Sequence, residues 1–452
     1  MKKLLILLMI IISQESFSQC FSKIAGGGDH SLSIKNNGTF WSWGYNSLGQ
    51  LGDGTTIHKN VPIQIGINAN WQSISAGIEH TIAIKSDGTL WAWGRNDYGM
   101  LGDGTNINKL IPTQIGTSTN WLIISAGDFF STAIKTDGTL WAWGINAGGQ
   151  LGDSTTTNRI IPTQIGTATN WQSVSAGYAH TLAIKSDGTL WAWGSNYYGQ
   201  LGDGTNIGKI SPIQIGFDIN WQKVSAGSTH SIAIKSNGSL WAWGDNNYGQ
   251  LGDGTNVGKN LPIQIGSDFN WQTLSASFYF TLAIKTNSTL WSWGRNYFGQ
   301  LGDGTLIDKN IPTIISSDNN WQDISSAEDH CLALKSDGSL YTWGYNYFGQ
   351  LGDGANINKL IPTTINCSTL NVASFIDKTL IVFPNPVKSI VNIKAQNTIL
   401  SLEIIDINGR NMMSTKHYNS EVILNIEGLQ AGFYFLKVTT KIGIATIKIS
   451  KV

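Results

Sequence analysis

Five histidines recur at intervals of 50 residues, His30, His80, His180, His230 and His330, with Phe130 and Phe280 in the two remaining registers. In most copies a serine stands five positions earlier, as Ser75 does before His80. A hydroxyl and an imidazole at a fixed spacing suggest a nucleophile and its base, and a circle of histidines suggests a metal centre. Symmetry argues against both. A catalytic site is one asymmetric constellation, and no copy places a second nitrogen or carboxylate ligand beside its histidine at zinc spacing. The histidines are therefore expected to make structural hydrogen bonds, with no catalytic residue, metal or cofactor. The G-Q-L-G-D-G-T segment carries an acid in every copy, from Asp53 to Asp353. It lacks the lysine of a phosphate loop and the D-x-D-x-D-G order of a calcium loop, so the acid is expected to cap a turn.

Charge narrows the classes further. Lys35, Lys85, Lys135, Lys185, Lys235, Lys285 and Lys335 end one strand in each copy and are expected to form a solvated face. With 29 basic and 29 acidic residues the chain is neutral, so it lacks the broad basic footprint of a nucleic-acid binder.

The elements that position these residues follow from the period. Seven copies run without insertion or deletion from Phe21 to Leu370, as 21–70, 71–120, 121–170, 171–220, 221–270, 271–320 and 321–370. All 19 tryptophans lie inside them, and the 52 glycines and 13% charged residues suit short strands and tight turns with almost no helix. Within a copy, 72–77, 81–85, 89–93 and 111–115 read as strands, with a hairpin at Ser86-Asp87-Gly88. Pro112 and its equivalents cannot donate to a ladder, which places the fourth strand at an edge. Four antiparallel strands repeated seven times give an all-β, seven-bladed β-propeller. Whether the fourth strand completes its own blade or the next stays open.

The strings HTIAIKSDGTLWAWG and N-x-Y-G-Q-L-G-D-G-T resemble the regulator of chromosome condensation repeat, a seven-bladed propeller family, over all seven copies. That resemblance implies the fold more than the function, since propellers host unrelated activities.

Function is expected where the copies differ. Slots 78 and 79 read Gly-Asp, Ile-Glu, Asp-Phe, Tyr-Ala, Ser-Thr, Phe-Tyr and Glu-Asp around the ring, and slots 95, 97 and 98 vary alongside them. Because strands alternate in direction, these slots emerge on one face, opposite the Asp-Gly hairpins. The candidate binding residues are Tyr45, Glu79, Arg95, Tyr98, Phe129, Tyr178, Tyr197, Tyr198, Asp245, Tyr248, Tyr279, Arg295, Tyr297, Phe298, Tyr345, Tyr347 and Phe348. Tyrosine, phenylalanine and arginine at this density suit a contact surface for an extracellular protein or glycan. The leading reading is a monomeric, non-enzymatic recognition scaffold. The alternatives are a secreted enzyme acting on glycans or peptides at the channel mouth, for which the repeat-to-repeat differences offer Asp29, Glu79, Asp128, Asp245, Glu328 and Asp329 as the only candidate acids, or a structural adhesin component.

Both ends of the chain read as export. Lys2 and Lys3 precede the apolar run Leu4 to Ile12, which reads as a signal peptide over 1–19, and its core is too short for a stable membrane anchor. After a linker at 371–378, residues 379–452 read as a separate small β-sandwich. Its motifs, Phe383-Pro384-Asn385-Pro386, a D-x-x-G ending at Gly409, and L-x-x-G-x-Y with Gly432 and Tyr434, resemble the type A C-terminal sorting domain of the type IX secretion system in the Bacteroidetes lineage. The resemblance implies passage through that machinery to the medium or the outer-membrane surface. In a ring of seven 50-residue copies, Cys20 falls at the place of residue 370, three positions beyond Cys367, so the two are candidates for a disulfide clasp or for unpaired thiols near the ring closure.

Overall fold

The computed structural model describes residues 21–365, 380–406, 410–440 and 443–452, and of 443–446 the backbone only. The signal peptide, Cys20, Cys367 and Gly409 lie outside the described residues. Two compact units divide at Asn366 and Cys367.

In the first unit each copy folds into one four-stranded antiparallel sheet with the strands in chain order. Blade 2 is representative, with Trp71–Ala76, His80–Lys85, Leu90–Gly94 and Lys109–Gln114. All four strands come from the same copy, which settles the open question about the fourth strand. Pro112 lies on the outer edge strand, where a register shift follows Ala92. The first strands line the axis, each against its neighbours, and Phe21–Gly26 of blade 1 packs against Trp321–Ser326 of blade 7 to close the ring.

A single blade cannot bury its own face. Ile82, Leu90 and Ala92 of blade 2 share one cluster with Trp121, Ala133 and Trp143 of blade 3, and this arrangement recurs around the ring. Trp43, Trp93, Trp143, Trp193, Trp243, Trp293 and Trp343 are fully buried between blades. Each indole also donates across the interface to a backbone carbonyl, as Trp93 does to Gln50 at 3.0 Å and Trp43 to Gln350 at 2.9 Å.

Asp103 illustrates the turn-capping acid. Its Oδ1 accepts from Thr105 N at 3.0 Å and from Asn96 Nδ2 at 2.9 Å, while Oδ2 pairs with Lys109 at 3.0 Å. The lysines at the ends of the second strands depart from expectation. Rather than standing in solvent, Lys85 is 6% exposed and places Nζ 3.6 Å from the Trp91 ring centroid, with Trp71 at 4.8 Å. Two tryptophans on flanking strands make a slot whose π faces attract the ammonium.

In the second unit, Ile381–Phe383, Ile390–Lys394 and Glu421–Asn425 form one sheet. Asn411–Lys416, Ile399–Asp406, Gly432–Thr440 and Gly443–Lys451 form the other, and Val391, Leu424, Leu402 and Leu436 meet in a common core between them. Asn385 ties the Phe383–Pro386 motif to the last strand, donating to Lys448 O at 2.8 Å and accepting from Ser450 N at 2.9 Å. Tyr434 donates its hydroxyl to Gln430 O at 2.9 Å, which fixes the turn before its strand.

Candidate functional site

The first and third strands of each blade run in the same direction, so the loop after the first and the exit from the third share an end of the sheet. A backbone bond joins the two: Arg95 N donates to Glu79 O at 2.9 Å, Tyr45 N to Asp29 O at 2.8 Å, and Tyr345 N to Asp329 O at 2.9 Å. The variable slots therefore occupy one face, held by a repeated scaffold.

On that face the aromatic candidates form a continuous belt from blade 4 to blade 1. It starts with Tyr178 against Phe278 at 6.5 Å between centroids, continues to Tyr279, and passes to Tyr248 at 5.2 Å. Arg295 bridges the next step, its guanidinium 5.6 Å from Tyr248, 5.5 Å from Tyr279 and 5.8 Å from Tyr297. Phe298 then meets Tyr345 at 4.6 Å, and Tyr347, Phe348 and Tyr45 follow in contact. Tyr297 and Tyr347 are 67% and 65% exposed and present most of their rings to solvent, while Tyr279, Phe298, Tyr345, Phe348 and Tyr45 are half-buried between them.

The remaining candidates fall into two separate groups. Arg95 pairs with Glu79 at 2.6 Å and Asp97 at 2.7 Å and lies over Phe129 and Tyr98. Tyr197 and Tyr198 line a groove of about 730 Å3 with Asn206, Asn247 and Leu261. Asp245 borders that groove with its carboxylate engaged inside the loop. It is 6% exposed and is occupied by Gln250 Nε2 at 3.0 Å and Thr229 Oγ1 at 3.3 Å, so it braces the loop from within.

Two belt residues escaped the sequence reading. Phe278 sits in a variable slot, but its partner Tyr178 is two blades away, and only the closed ring brings them together. His58 stacks on Tyr45 at 4.8 Å and uses Nδ1 to accept from Asn46 N at 2.9 Å, the task that Asn108 Oδ1 performs for Asn96 N. The signal was an aromatic at a slot that elsewhere holds Asn, Asp or Gly.

At the centre of the face the axial channel opens through a mouth of about 100 Å3 lined by Asp128, Glu328, Tyr178 and Phe278 among small residues. Of the six acids considered above, Asp128 and Glu328 line this mouth, and Asp29, Glu79 and Asp329 are near enough to Glu328 for their charges to repel it. Burial, reinforced by Glu328, Asp329 and Glu79, pushes the Asp29 carboxyl up to about 7, against the opposing hydrogen bond from Gln350. Burial likewise raises Asp329 to about 7, with Arg295 opposing and Glu328 adding. Glu328 and Asp128 are raised by burial as well. Among the described residues no three His, Cys, Asp or Glu side chains are grouped to hold a metal ion.

The histidines lie one layer deeper and are fully buried. His80 Nε2 is 3.0 Å from Ser131 Oγ of the next blade, and Ser131 donates its own proton to Met100 O at 2.9 Å. The hydroxyl can then only accept, so Nε2 carries the imidazole proton and the histidine is a structural strut. Burial holds these imidazoles near 3, far below their ordinary range.

A family model described as the RCC1-like domain matches residues 124–381, more than half of the chain. The chain belongs to the RCC1-like family. Two models of the regulator of chromosome condensation repeat match 37–84 and 87–134, and 21–50 and 71–99. A secretion system C-terminal sorting domain matches 381–451, so this is an RCC1-like propeller carrying an export address. Among solved structures, Prp20p from Saccharomyces cerevisiae, described with its binding to Gsp1p and histones, is 22% identical with a TM-score of 0.66, covering 80% of this chain and 90% of its own. Yeast RCC1 (Prp20) bound by Kap60 gives 19% and 0.66, covering 85% and 91%. Human WBSCR16 gives 22% and 0.64, covering 70% and 87%. At these identities the likeness is one of fold. No curated protein matches the sequence significantly. No described helix is long and apolar enough to cross a membrane.

Proposed function

We propose that this RCC1-like protein is a non-enzymatic recognition propeller, exported through the type IX machinery and acting in the medium or at the cell surface. It binds an extracellular protein or glycan through its variable loop face. The observation that carries the reading is the aromatic belt running unbroken from Tyr178 to Tyr45 with Arg295 set among the rings. Exposed Tyr beside half-buried Phe and Arg on a rigid scaffold supplies large contact area at low entropic cost, the composition of interface hot spots. The invariant slots, by contrast, are consumed in turn capping and inter-blade bonds. The sorting domain supplies the address, and the propeller is the working part.

The test compares capture of extracellular proteins and glycans by the mature chain with capture by a Tyr197→Ala, Tyr297→Ala, Tyr347→Ala variant. All three tyrosines are well exposed, so the variant is expected to keep the wild-type melting temperature. A partner held by the wild type and lost by the folded variant supports the reading; equal capture by both overturns it.

A further inference from the structure

The channel mouth lies inside the proposed face, and its chemistry specifies what the face receives. Asp128 lines this mouth and is 8% exposed. Its Oδ2 is buried and has no hydrogen-bond partner. A carboxylate in that state is costly unless a cation or a proton neutralises it. The equivalent slot in the other blades is Gly28, Ile78, Tyr178, Ser228 and Phe278, and only blade 7 repeats the acid, as Glu328.

Asp128 has no cation acting on it among the described residues, and of the pair only Glu328 feels a positive charge, that of Arg295. Arg95 is engaged by Glu79 and Asp97, and Arg295 lies over the aromatic belt. The charged neighbour that acts on Asp128 is Glu328 itself, which adds repulsion. Tyr178, in the blade beside that of Asp128, and Phe278, in the blade beside that of Glu328, are in ring contact at 6.5 Å and make the rim between the two acids largely apolar. A cavity of about 100 Å3 has room for one side-chain head group, roughly three waters' share of liquid volume. No grouping of three metal-binding side chains exists among the described residues, which favours a cation with spread N–H donors over a chelated ion.

We infer that the mouth receives an ammonium or guanidinium group, the head of a lysine or arginine projecting from a protein partner, held by Asp128 and Glu328 with its stem against Tyr178 and Phe278. The inference rests on the binding-face reading and narrows its partner to a protein that inserts a basic side chain at the propeller axis. The carboxylates provide charge-assisted hydrogen bonds and the rings provide a cation–π wall.

Calorimetric titration of the mature chain tests this with Nα-acetyl-lysine methylamide and Nα-acetyl-arginine methylamide as probes. Nα-acetyl-norleucine methylamide serves as the neutral isostere and calcium chloride as the metal alternative. At least one basic probe is expected to bind with a dissociation constant on the order of millimolar, and norleucine about tenfold more weakly or worse. Asp128→Asn is expected to weaken the basic probe by about tenfold while melting no lower than wild type, because it puts a neutral group of the same shape where burial already opposes ionisation of the carboxyl. Equal binding of norleucine, undiminished binding by Asp128→Asn, saturable calcium binding that competes with the amine, or no binding of either basic probe would each overturn the inference. A face variant that captures partners as the wild type does, while amine binding behaves as stated, would count against the binding-face reading and leave the mouth assigned.

Discussion

His330 Nε2 of blade 7 lies 2.8 Å from Ser31 Oγ of blade 1, so the seam of the ring carries the same strut as the internal interfaces. Ser31 donates to Gln350 O at 2.7 Å, as Ser131 does to Met100 O. The closure also has Gly26 N on Ser325 Oγ at 2.9 Å and Gly354 N on Asn60 O at 2.8 Å. Closure is thus built into the described residues, and the candidate Cys20 to Cys367 pairing lies outside them.

His330→Ala is expected to destabilise the propeller by about 2 to 3 kcal/mol, combining a lost hydrogen bond with a cavity. Of the two natural exceptions, Phe130 is followed by a blade that keeps its hydroxyl, Thr181 donating to Gln150 O at 2.9 Å, and the other shows a rescue. Where Phe280 replaces histidine, the next blade holds Cys331 instead of a hydroxyl, and its Sγ contacts Gln300 O at 3.2 Å. The double change His330→Phe with Ser31→Cys is therefore expected to recover most of the stability lost by either change alone. Denaturant unfolding of the four proteins checks this as a double-mutant cycle.

Acid and base act on different layers of the ring. The five buried imidazoles have folded values near 3 against about 6.5 unfolded, so the unfolded chain binds their protons first. Their contribution is present above about pH 6.5 and is lost as pH falls, by roughly 1.4 kcal/mol per unit for each. Asp29 and Asp329, raised to about 7, contribute in the opposite sense: their stability is present below about 4 and lost as pH rises through 7. Stability should accordingly peak near about pH 6 to 7. In melting-temperature profiles, His80→Phe is expected to flatten the acid limb. Asp29→Asn with Asp329→Asn is expected to flatten the alkaline limb and steepen the acid one.

Two positions break the glycine pattern of the turns. Ser154 adopts φ 65° where its counterparts Gly54 and Gly104 adopt 79° and 80°. Ser154→Gly is expected to raise stability by about 1 kcal/mol by relieving left-handed strain. Gly88→Ala should do the reverse and cost about 3 kcal/mol or more, because the new Cβ would lie 2.0 Å from Thr119 O at φ 76°. Chemical denaturation measures both. Ser288, at φ 59° in the hairpin of blade 6, coincides with Ser316 in place of a loop glycine and with a fourth strand extended to Lys309–Ser316.

Much of this was legible in the chain, for a physical reason. The 50-residue period repeats the Asp-Gly hairpin, the edge proline and the buried indole in register, so strands, blades and the shared face follow from local chemistry. Relationships that cross blades were not legible. Phe280 and Cys331 stand 51 positions apart, and Tyr178 meets Phe278 across an intervening blade. Lys85 reads as a solvated strand end until Trp71 and Trp91 enclose it. Asp245 and Asp128 look alike as acids on variable loops, yet the first is occupied by Gln250 and the second lines the channel mouth with its Oδ2 unpartnered.

The central claim is that partners dock on the variable loop face. The most direct measurement incorporates a photo-crosslinking phenylalanine at Tyr297 on the belt and, separately, at Phe217, which is 97% exposed in a blade-to-blade loop at the opposite end of the sheets. After illumination with extracellular material, a discrete crosslinked partner from position 297 and none from 217 is the predicted result. Crosslinking from 217 with none from 297, or the same species from both, would contradict it.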